Sequence, residues 1–350
     1  MNSLNLFKVL TPEIVDIIEL RYSLLKAIHY CEPIGRRALS EKLDIQERTI
    51  RNEANILKEQ GLIKIESTGM SITDSGLEIL NELGEVYAEL KGIIGLEDLL
   101  RLRLGIKNVK IVPGNADNND ICLTELSKAA SKLIKSALKD DDILGITGGT
   151  TMASVANECI PDNKLRNITI VPARGGLGKN IYTQSNSIAV NLAEKLGGNY
   201  RLLYVPDGLS EEALIHMIEN GEIKETLALI EKMNILVFGI GRADTMARRR
   251  NLSEERINLL ESKGAVAEAF GHYFDIEGNE IWEYRTIGLS LEKFKNIDTA
   301  IAVAGGEEKA EAIIAVSSLN KNIELVTDEL AAKRILEILD NISNNKTKEE

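Results

Sequence analysis

The chain has 350 residues, 44% of them hydrophobic, and a formal charge of −12 at neutral pH, which suits about two folded domains, each with its own core. No apolar run approaches the roughly 18–20 residues that span a bilayer. Three scattered cysteines (Cys31, Cys122, Cys159) and three dispersed histidines (His29, His216, His272) form neither a disulfide framework nor a His-based metal centre.

A cytoplasmic protein with reduced thiols, no metal and no cofactor is therefore expected. The stretch Met1–Arg21 reads as an amphipathic acidic segment rather than a signal peptide. The acidic balance argues against non-specific nucleic-acid binding by the whole chain, but leaves room for a small DNA reader with locally basic residues.

In chain order, residues 12–30 carry Ile14, Val15, Ile17, Ile18, Leu24, Leu25 and Ile28 at helical spacing, and Glu32-Pro33-Ile34-Gly35 breaks that helix. RRALSEKL (36–43) gives a short second helix, Asp44-Ile45-Gln46 a turn, and ERTIRNEANILKEQ (47–60) a third helix with Gly61 as its cap. Two helices across a three-residue turn have helix-turn-helix spacing. Residues 62–73, interrupted by Ser67-Thr68-Gly69, read as a two-stranded wing. Arg36, Arg37, Gln46, Arg48, Thr49, Arg51 and Asn52 are residue types that reach phosphates and base edges, and are the candidate DNA-binding residues. Seven basic residues stand against five acidic ones between Arg36 and Lys64, a mild local excess. A small helical bundle that binds another protein is the competing reading.

The segment 74–104 is apolar at helical spacing but interrupted by Gly84, Gly92 and Gly95, and reads as a helical connector that also pairs subunits. The domain division is thus 1–73 winged helix, 74–104 connector, 105–340 effector domain and 341–350 a polar, disordered tail.

From Val109 onward short apolar strands alternate with helices, which predicts a mostly parallel α/β sheet covered on both faces. Strands are expected at 109–112, 143–146, 168–171, 201–205, 235–238, 299–303 and 323–326. Ligands in such folds sit at the carboxyl ends of the strands. Those ends carry Gly148-Gly149-Thr150-Thr151 before a helix, Ala173-Arg174-Gly175-Gly176-Leu177-Gly178 with Gln184 beyond, Gly239-Ile240-Gly241-Arg242 with Arg248-Arg249-Arg250 beyond, and Gly305-Gly306-Glu307-Glu308-Lys309. Glycines permit close backbone approach, a helix N-terminus attracts anions, and Arg and Lys neutralise phosphate. The ligand predicted is a small polyanion, most simply a phosphorylated sugar, with Glu268 accepting from a sugar hydroxyl. Individually, the arginine run reads as a solvated helix face and Gly305-Gly306 as a tight turn; the functional reading rests on their convergence at one sheet edge.

The motifs GGTT, PARGGLG, GIGRADTMARRR, GHYFD and GGEEKAEAI together resemble the SorC-type bacterial transcriptional regulators, over essentially the whole chain. TQSNSIAVNLAEKLGG and YRLLYVPD add to the specificity of the match. The resemblance implies an N-terminal winged helix and a C-terminal effector domain with the fold of ribose-phosphate isomerases and glucosamine-phosphate deaminases, catalysis lost. It is to the glycolytic branch of the family, which implies fructose 1,6-bisphosphate or a related sugar phosphate as effector, homodimers or homotetramers on double-stranded operator DNA, and repression relieved by the sugar. By motif, Gly148, Gly149, Thr150 and Thr151 would hold one phosphate with Lys309. Arg174 and Gln184 come from the PARGGLG loop and its helix, and Arg249, Arg250 and Glu268 would serve the sugar and the other phosphate. The run Arg248–Arg250 leaves open which two arginines face the site. The rival class is a sugar-phosphate isomerase or deaminase with an appended domain. Such chemistry needs a positioned base, and Arg242-Ala243-Asp244 stands where related deaminases have a histidine motif, with only His272 and Asp244 as candidates.

Overall fold

The computed structural model describes residues 10–117, 119–161, 167–176, 180–206 and 211–349. Residues 1–9 of the amphipathic N-terminal segment, Leu177 and Gly178 of the PARGGLG motif, and Glu350 lie outside the described residues. The chain divides into two compact units, ending and beginning at Gly95 and Leu96.

In the first unit, α1 (Pro12–Cys31), α2 (Arg36–Leu43) and α3 (Glu47–Glu59) are followed by a hairpin of β1 (Ile63–Glu66) and β2 (Gly69–Ile72). The helices form because each buries one apolar stripe: Leu24, Leu25 and Ile28 from α1, Leu39 from α2, and Ile50, Ala54 and Leu57 from α3. Asp44 ends α2 in the left-handed region and turns the chain into α3. The wing is tied back to the α1–α2 loop by Ile34, which exchanges two backbone hydrogen bonds with Met70. Gly69, at φ 141°, lies against Ile34, where a Cβ would come within 2.9 Å of the Ile34 nitrogen.

The expected connector is two helices. α4 (Asp74–Leu90) is capped by Thr73, whose hydroxyl accepts from the Gly76 N–H at 3.0 Å. It packs on α1 through stacked Tyr22 and Tyr87 rings, centroids 4.5 Å apart. Gly92, at φ 70°, separates it from α5 (Ile93–Leu104). The division between the units falls inside the expected connector rather than at either end of it.

The second unit is built on a seven-stranded sheet: β3 (Asn108–Val112), β4 (Ile143–Ile146), β5 (Thr169–Pro172), β6 (Asn199–Tyr200), β7 (Ile235–Gly239), β12 (Thr299–Val303) and β13 (Ile323–Asp328). The spatial order is β3-β13-β12-β7-β4-β5-β6, and all pairings are parallel. From β4 the chain steps outward to β5 and β6, then returns to β7 on the other side of β4. β4 and β7 therefore flank a topological switch point, the crevice where such sheets take ligands. One face is covered by α6 (Asp120–Ala137), α7 (Thr150–Asn157) and α8 (Ser185–Leu196), whose Leu126, Ala130, Ile134, Met152, Val155, Ile188 and Leu192 pack on Leu144, Ile146, Ile170 and Val237. Phe238 makes a triad with Phe270 and Phe294, centroids 4.7–5.3 Å apart. Gly145, the glycine inside the β4 run, makes room for Met233; a Cβ would lie 2.4 Å from its sulfur.

Three sequence expectations are corrected. Residues 201–205 do not form a strand. β6 is only Asn199–Tyr200, and the segment after it is held by Asn186, whose amide accepts from the Leu203 N–H and donates to the Leu203 carbonyl. Residues 341–349 of the expected disordered tail are helical: α15 (Glu329–Glu349) runs through them, because Ala331, Ala332 and Ile335 anchor its start in the core and its polar end extends the same helix. Residues 241–283, where the sequence predicts no strand, carry a second sheet of β8 (Gly241–Arg242), β9 (Ala267–Ala269), β10 (His272–Phe274) and β11 (Glu280–Glu283), antiparallel in the order β11-β10-β9-β8. Between its strands lie α11 (Ala243–Arg249) and α12 (Glu254–Ser262). The remaining helices are α9 (Glu211–Ile218), α10 (Gly221–Lys232), α13 (Leu291–Asn296) and α14 (Ala310–Ser317).

Candidate functional site

At the switch point the chain leaves β4 as Thr147-Gly148-Gly149 and enters α7 at Thr150. Gly149 has φ 118°, a conformation suited to glycine. Its N–H donates to the Thr183 carbonyl at 2.9 Å. Gly148 passes so close to that carbonyl that a Cβ would stand 2.9 Å from it. Gly149 caps α7 without a side chain, so the first-turn N–H groups of Thr150, Thr151 and Met152 have no partner inside the helix. Thr150 is exposed and Thr151 half-buried beside these donors. Thr147 joins this turn to the next, its hydroxyl accepting from the Gly239 N–H after β7 at 3.3 Å.

Beyond β12, Gly305 and Gly306 lead into a short 3-10 turn at Glu307–Lys309. Asp328, at the end of β13, organises it. Its Oδ2 accepts from the N–H groups of Gly306 (2.5 Å) and Ala116 (2.9 Å), and its Oδ1 from that of Ala331 (2.8 Å). Burial pushes the Asp328 carboxyl above its ordinary range despite those donors. Lys309 is half-buried at this turn; its N–H donates to the Gly306 carbonyl at 3.1 Å, and its ammonium makes no hydrogen bond or ion pair among the described residues. Burial lowers its pKa, and the attraction of Asp117 and Asp328 only partly offsets that. It is a cation held partly out of water without a direct partner.

On the other side, Arg174 follows β5 and is fixed by a bridge to Gly288. Its Nη1 lies 4.0 Å from Oε1 of Glu268 on β9. That oxygen also accepts from Nη2 of Arg250 at 2.6 Å and from the Gly271 N–H at 2.7 Å. The side chains of Glu268 and Arg250 are only 6% and 9% exposed. Arg250 also reaches the Tyr273 hydroxyl at 3.4 Å and lies over the Tyr284 ring at 5.1 Å. Burial lowers the Arg250 pKa, but Glu268 and Tyr273 outweigh it and the net shift is upward. Two guanidiniums thus converge on one buried carboxylate.

The arginine run is divided by the end of α11. Arg248 pairs on the helix surface with Asp244 and Glu261, and Arg249 is exposed and joins none of the hydrogen bonds around Glu268. Arg250, just past the helix, turns inward. Gln184 is half-buried at the N-cap of α8, beside Ser185, whose hydroxyl donates to the Arg174 carbonyl at 2.8 Å. Sequence reasoning missed Asp328 and Asp117, and named Arg242 at a strand end without giving it a role. Arg242 holds Asp244 with two hydrogen bonds, at 3.1 and 2.8 Å, and pairs with Glu308 of the Lys309 turn. The signal for Asp328 was its place at a strand end, where the other candidates were found.

In the first unit Arg36 and Arg37 open α2 and are exposed; Gln46, at the N-cap of α3, and Arg48, Arg51 and Asn52 within it are exposed and Thr49 is half-buried, while Ile50, Ala54 and Leu57 of the same helix are buried. Donors are thereby gathered at the N-terminal half of α3 beside a two-stranded wing. No helix among the described residues is long and apolar enough to cross a membrane.

Two family profiles divide the chain between them. Residues 17–87 match the CggR N-terminal DNA binding domain, and residues 88–337 match a sugar-binding domain. The chain is 42% identical over 329 residues to the central glycolytic genes regulator of Bacillus subtilis, covering 94% of this chain and 97% of that one. It is 40% identical to the protein of the same name from Priestia megaterium, over 93% and 96%. Over 69% of its length the chain is similar to the crystal structure of a SorC family transcriptional regulator from Enterococcus faecalis, with a TM-score of 0.65, 38% identity and 99% of that chain covered.

Proposed function

The chain belongs to the SorC family of transcriptional regulators, with a DNA-binding and a sugar-binding domain, and we propose that it represses glycolytic genes until fructose 1,6-bisphosphate, or a closely related sugar phosphate, releases it from operator DNA. The observation that carries this reading is the gathering of anion-seeking groups at the carboxyl ends of the strands of one parallel sheet. After β4 come the first-turn N–H groups of α7, which have no partner inside the helix, with Thr150 and Thr151, and after β12 comes the half-buried Lys309. After β5 comes Arg174, which with Arg250 flanks Glu268. Such an arrangement suits an extended polyol with an anionic group at each end. The proposed effector site comprises Gly148, Gly149, Thr150, Thr151, Arg174, Gln184, Arg249, Arg250, Glu268 and Lys309. The proposed DNA contacts are Arg36, Arg37, Gln46, Arg48, Thr49, Arg51 and Asn52, read in the major groove by a homodimer or homotetramer.

The sugar is bound, not turned over. In the free protein Glu268 neutralises the two arginines; an arriving phosphate competes for them, and Glu268 is left to accept from a sugar hydroxyl. Effector binding shifts the equilibrium between DNA-competent and DNA-incompetent states by its difference in affinity for them.

Two substitutions separate the functions. Arg51→Ala is expected to weaken operator binding by about 1–3 kcal/mol and leave sugar binding intact. Arg174→Ala is expected to bind the operator normally and resist release by the sugar. Sugar binding is read from thermal unfolding, where ligand at about 100 times its Kd adds roughly 2.7 kcal/mol of stability. The same incubations leave every sugar phosphate chemically unchanged. Loss of both functions in both folded variants, or turnover of a sugar phosphate, contradicts the reading.

A further inference from the structure

We propose that His272, Glu280 and Glu283 form a divalent-cation site on the β10–β11 hairpin, on the face away from Tyr273 and Glu268. Their ligand atoms all lie within 4.8 Å of one another. Three independent features of the hairpin bring them together.

The first is register. His272 stands directly opposite Glu283, and directly opposed residues of an antiparallel pair share a face. Secondly, a bulge between Tyr273 and Phe274 sets Phe274 against Glu280 rather than Ile281. Bulges re-aim side chains, and this one turns Glu280 to the face that holds His272. The third is burial. His272 is 8% exposed, its Nδ1 lies 2.7 Å from Oε1 of Glu280, and its Nε2 has no hydrogen-bond partner among the described residues. Glu280 and Glu283 are exposed, free to adjust their rotamers, and open to solvent as an entry path.

The chemistry of the donor set selects the ion. Two carboxylates balance a double positive charge and one neutral imidazole adds a nitrogen. That mixture suits zinc or manganese better than calcium, which takes oxygen ligands alone. Bonds of about 2.0–2.2 Å draw three ligand atoms closer than they stand now, a movement within reach of two exposed glutamates on a fixed ladder. The ion takes the place of the direct contact between Nδ1 of His272 and Oε1 of Glu280. Once bound it staples β10 to β11 one residue from Tyr273, whose hydroxyl takes a hydrogen bond from Arg250. The site is separate from the sugar crevice, so its failure would leave the proposed effector site untouched.

The test is titration of the full chain with Zn²⁺ alone, followed by thermal unfolding, and with Co²⁺, followed by its visible absorption. One Zn²⁺ per chain is expected to raise the unfolding temperature, reversibly with a chelator. Glu280→Gln and Glu283→Gln are each expected to weaken binding by at least the roughly 10–100-fold that loss of a group supporting a ligand costs, while unfolding at the wild-type temperature in the absence of metal. Co²⁺ is expected to show imidazole-dependent bands that His272→Gln abolishes. Zn²⁺ affinity unchanged in both glutamine variants, or Co²⁺ bands unchanged in the His272 variant, overturns the proposal.

Discussion

Replacing Glu268 by alanine is expected to destabilise the second unit by about 3–5 kcal/mol, the cost of leaving a buried charge without its partner. The Arg250 side chain is 9% exposed and loses its 2.6 Å hydrogen bond to Oε1; the buried Gly271 N–H loses its acceptor as well. Gly271 cannot move to find another, because at φ 96° it already lies where a Cβ would stand 2.7 Å from the Tyr284 carbonyl. Glu268→Gln keeps the accepting oxygen and is expected to lose less. In the free protein the same carboxylate neutralises the arginines that the proposed effector needs, so the glutamine variant is also expected to bind inorganic phosphate more tightly than the native chain. Chemical denaturation and phosphate titration of the two variants check both statements. Equal stability of Glu268→Ala and native protein would refute the buried-pair account.

The second large effect is a trade. Lys309→Met is expected to weaken binding of the sugar phosphate by about 2–5 kcal/mol, as when one member of a desolvated charge pair is truncated. The same change is expected to stabilise the ligand-free protein, by about 0.5–2 kcal/mol. The sign follows from the lowered pKa. The folded environment disfavours the Lys309 charge, burial being the largest cause and Asp117 and Asp328 offsetting part of it. An uncharged side chain of similar length removes that penalty. Between the lowered folded value and the ordinary lysine value the unfolded chain holds more protons, so native stability rises with pH across that window. In the methionine variant that contribution disappears. A residue that costs stability when the site is empty is expected where function, not folding, maintains it. A variant both less stable and unimpaired in sugar binding would show that Lys309 is structural.

Much of this was legible in the residues. The helices of the first unit follow apolar stripes at helical spacing, and the parallel sheet follows short apolar runs ending in glycine. The strand ends pointed to the proposed crevice because ligands in parallel α/β sheets sit at the carboxyl ends of strands. What stayed hidden has physical causes. β9 and β10 are three residues each, too short for alternation to register, and β10 meets β11 across a bulge. That Arg250 rather than Arg249 reaches Glu268 depends on where α11 stops, and three identical residues carry no signal of that point. Gly306 reads as a tight turn in sequence, yet a Cβ there would sit 1.8 Å from Oδ1 of Asp117, a residue far away in the chain. Asp328 is a buried acceptor for three N–H groups from three segments, which only folding assembles.

One ligand in the switch-point crevice is expected to govern DNA binding by another part of the chain. The most direct measurement is operator affinity at fixed salt, with and without saturating fructose 1,6-bisphosphate. Salt is held constant because phosphate contacts make affinity depend steeply on it. The sugar is expected to weaken operator binding by a coupling energy of about 1–3 kcal/mol, roughly 5–150-fold, and operator DNA to weaken sugar binding by the same factor. An operator affinity that stays constant while thermal unfolding shows the sugar bound would contradict the account.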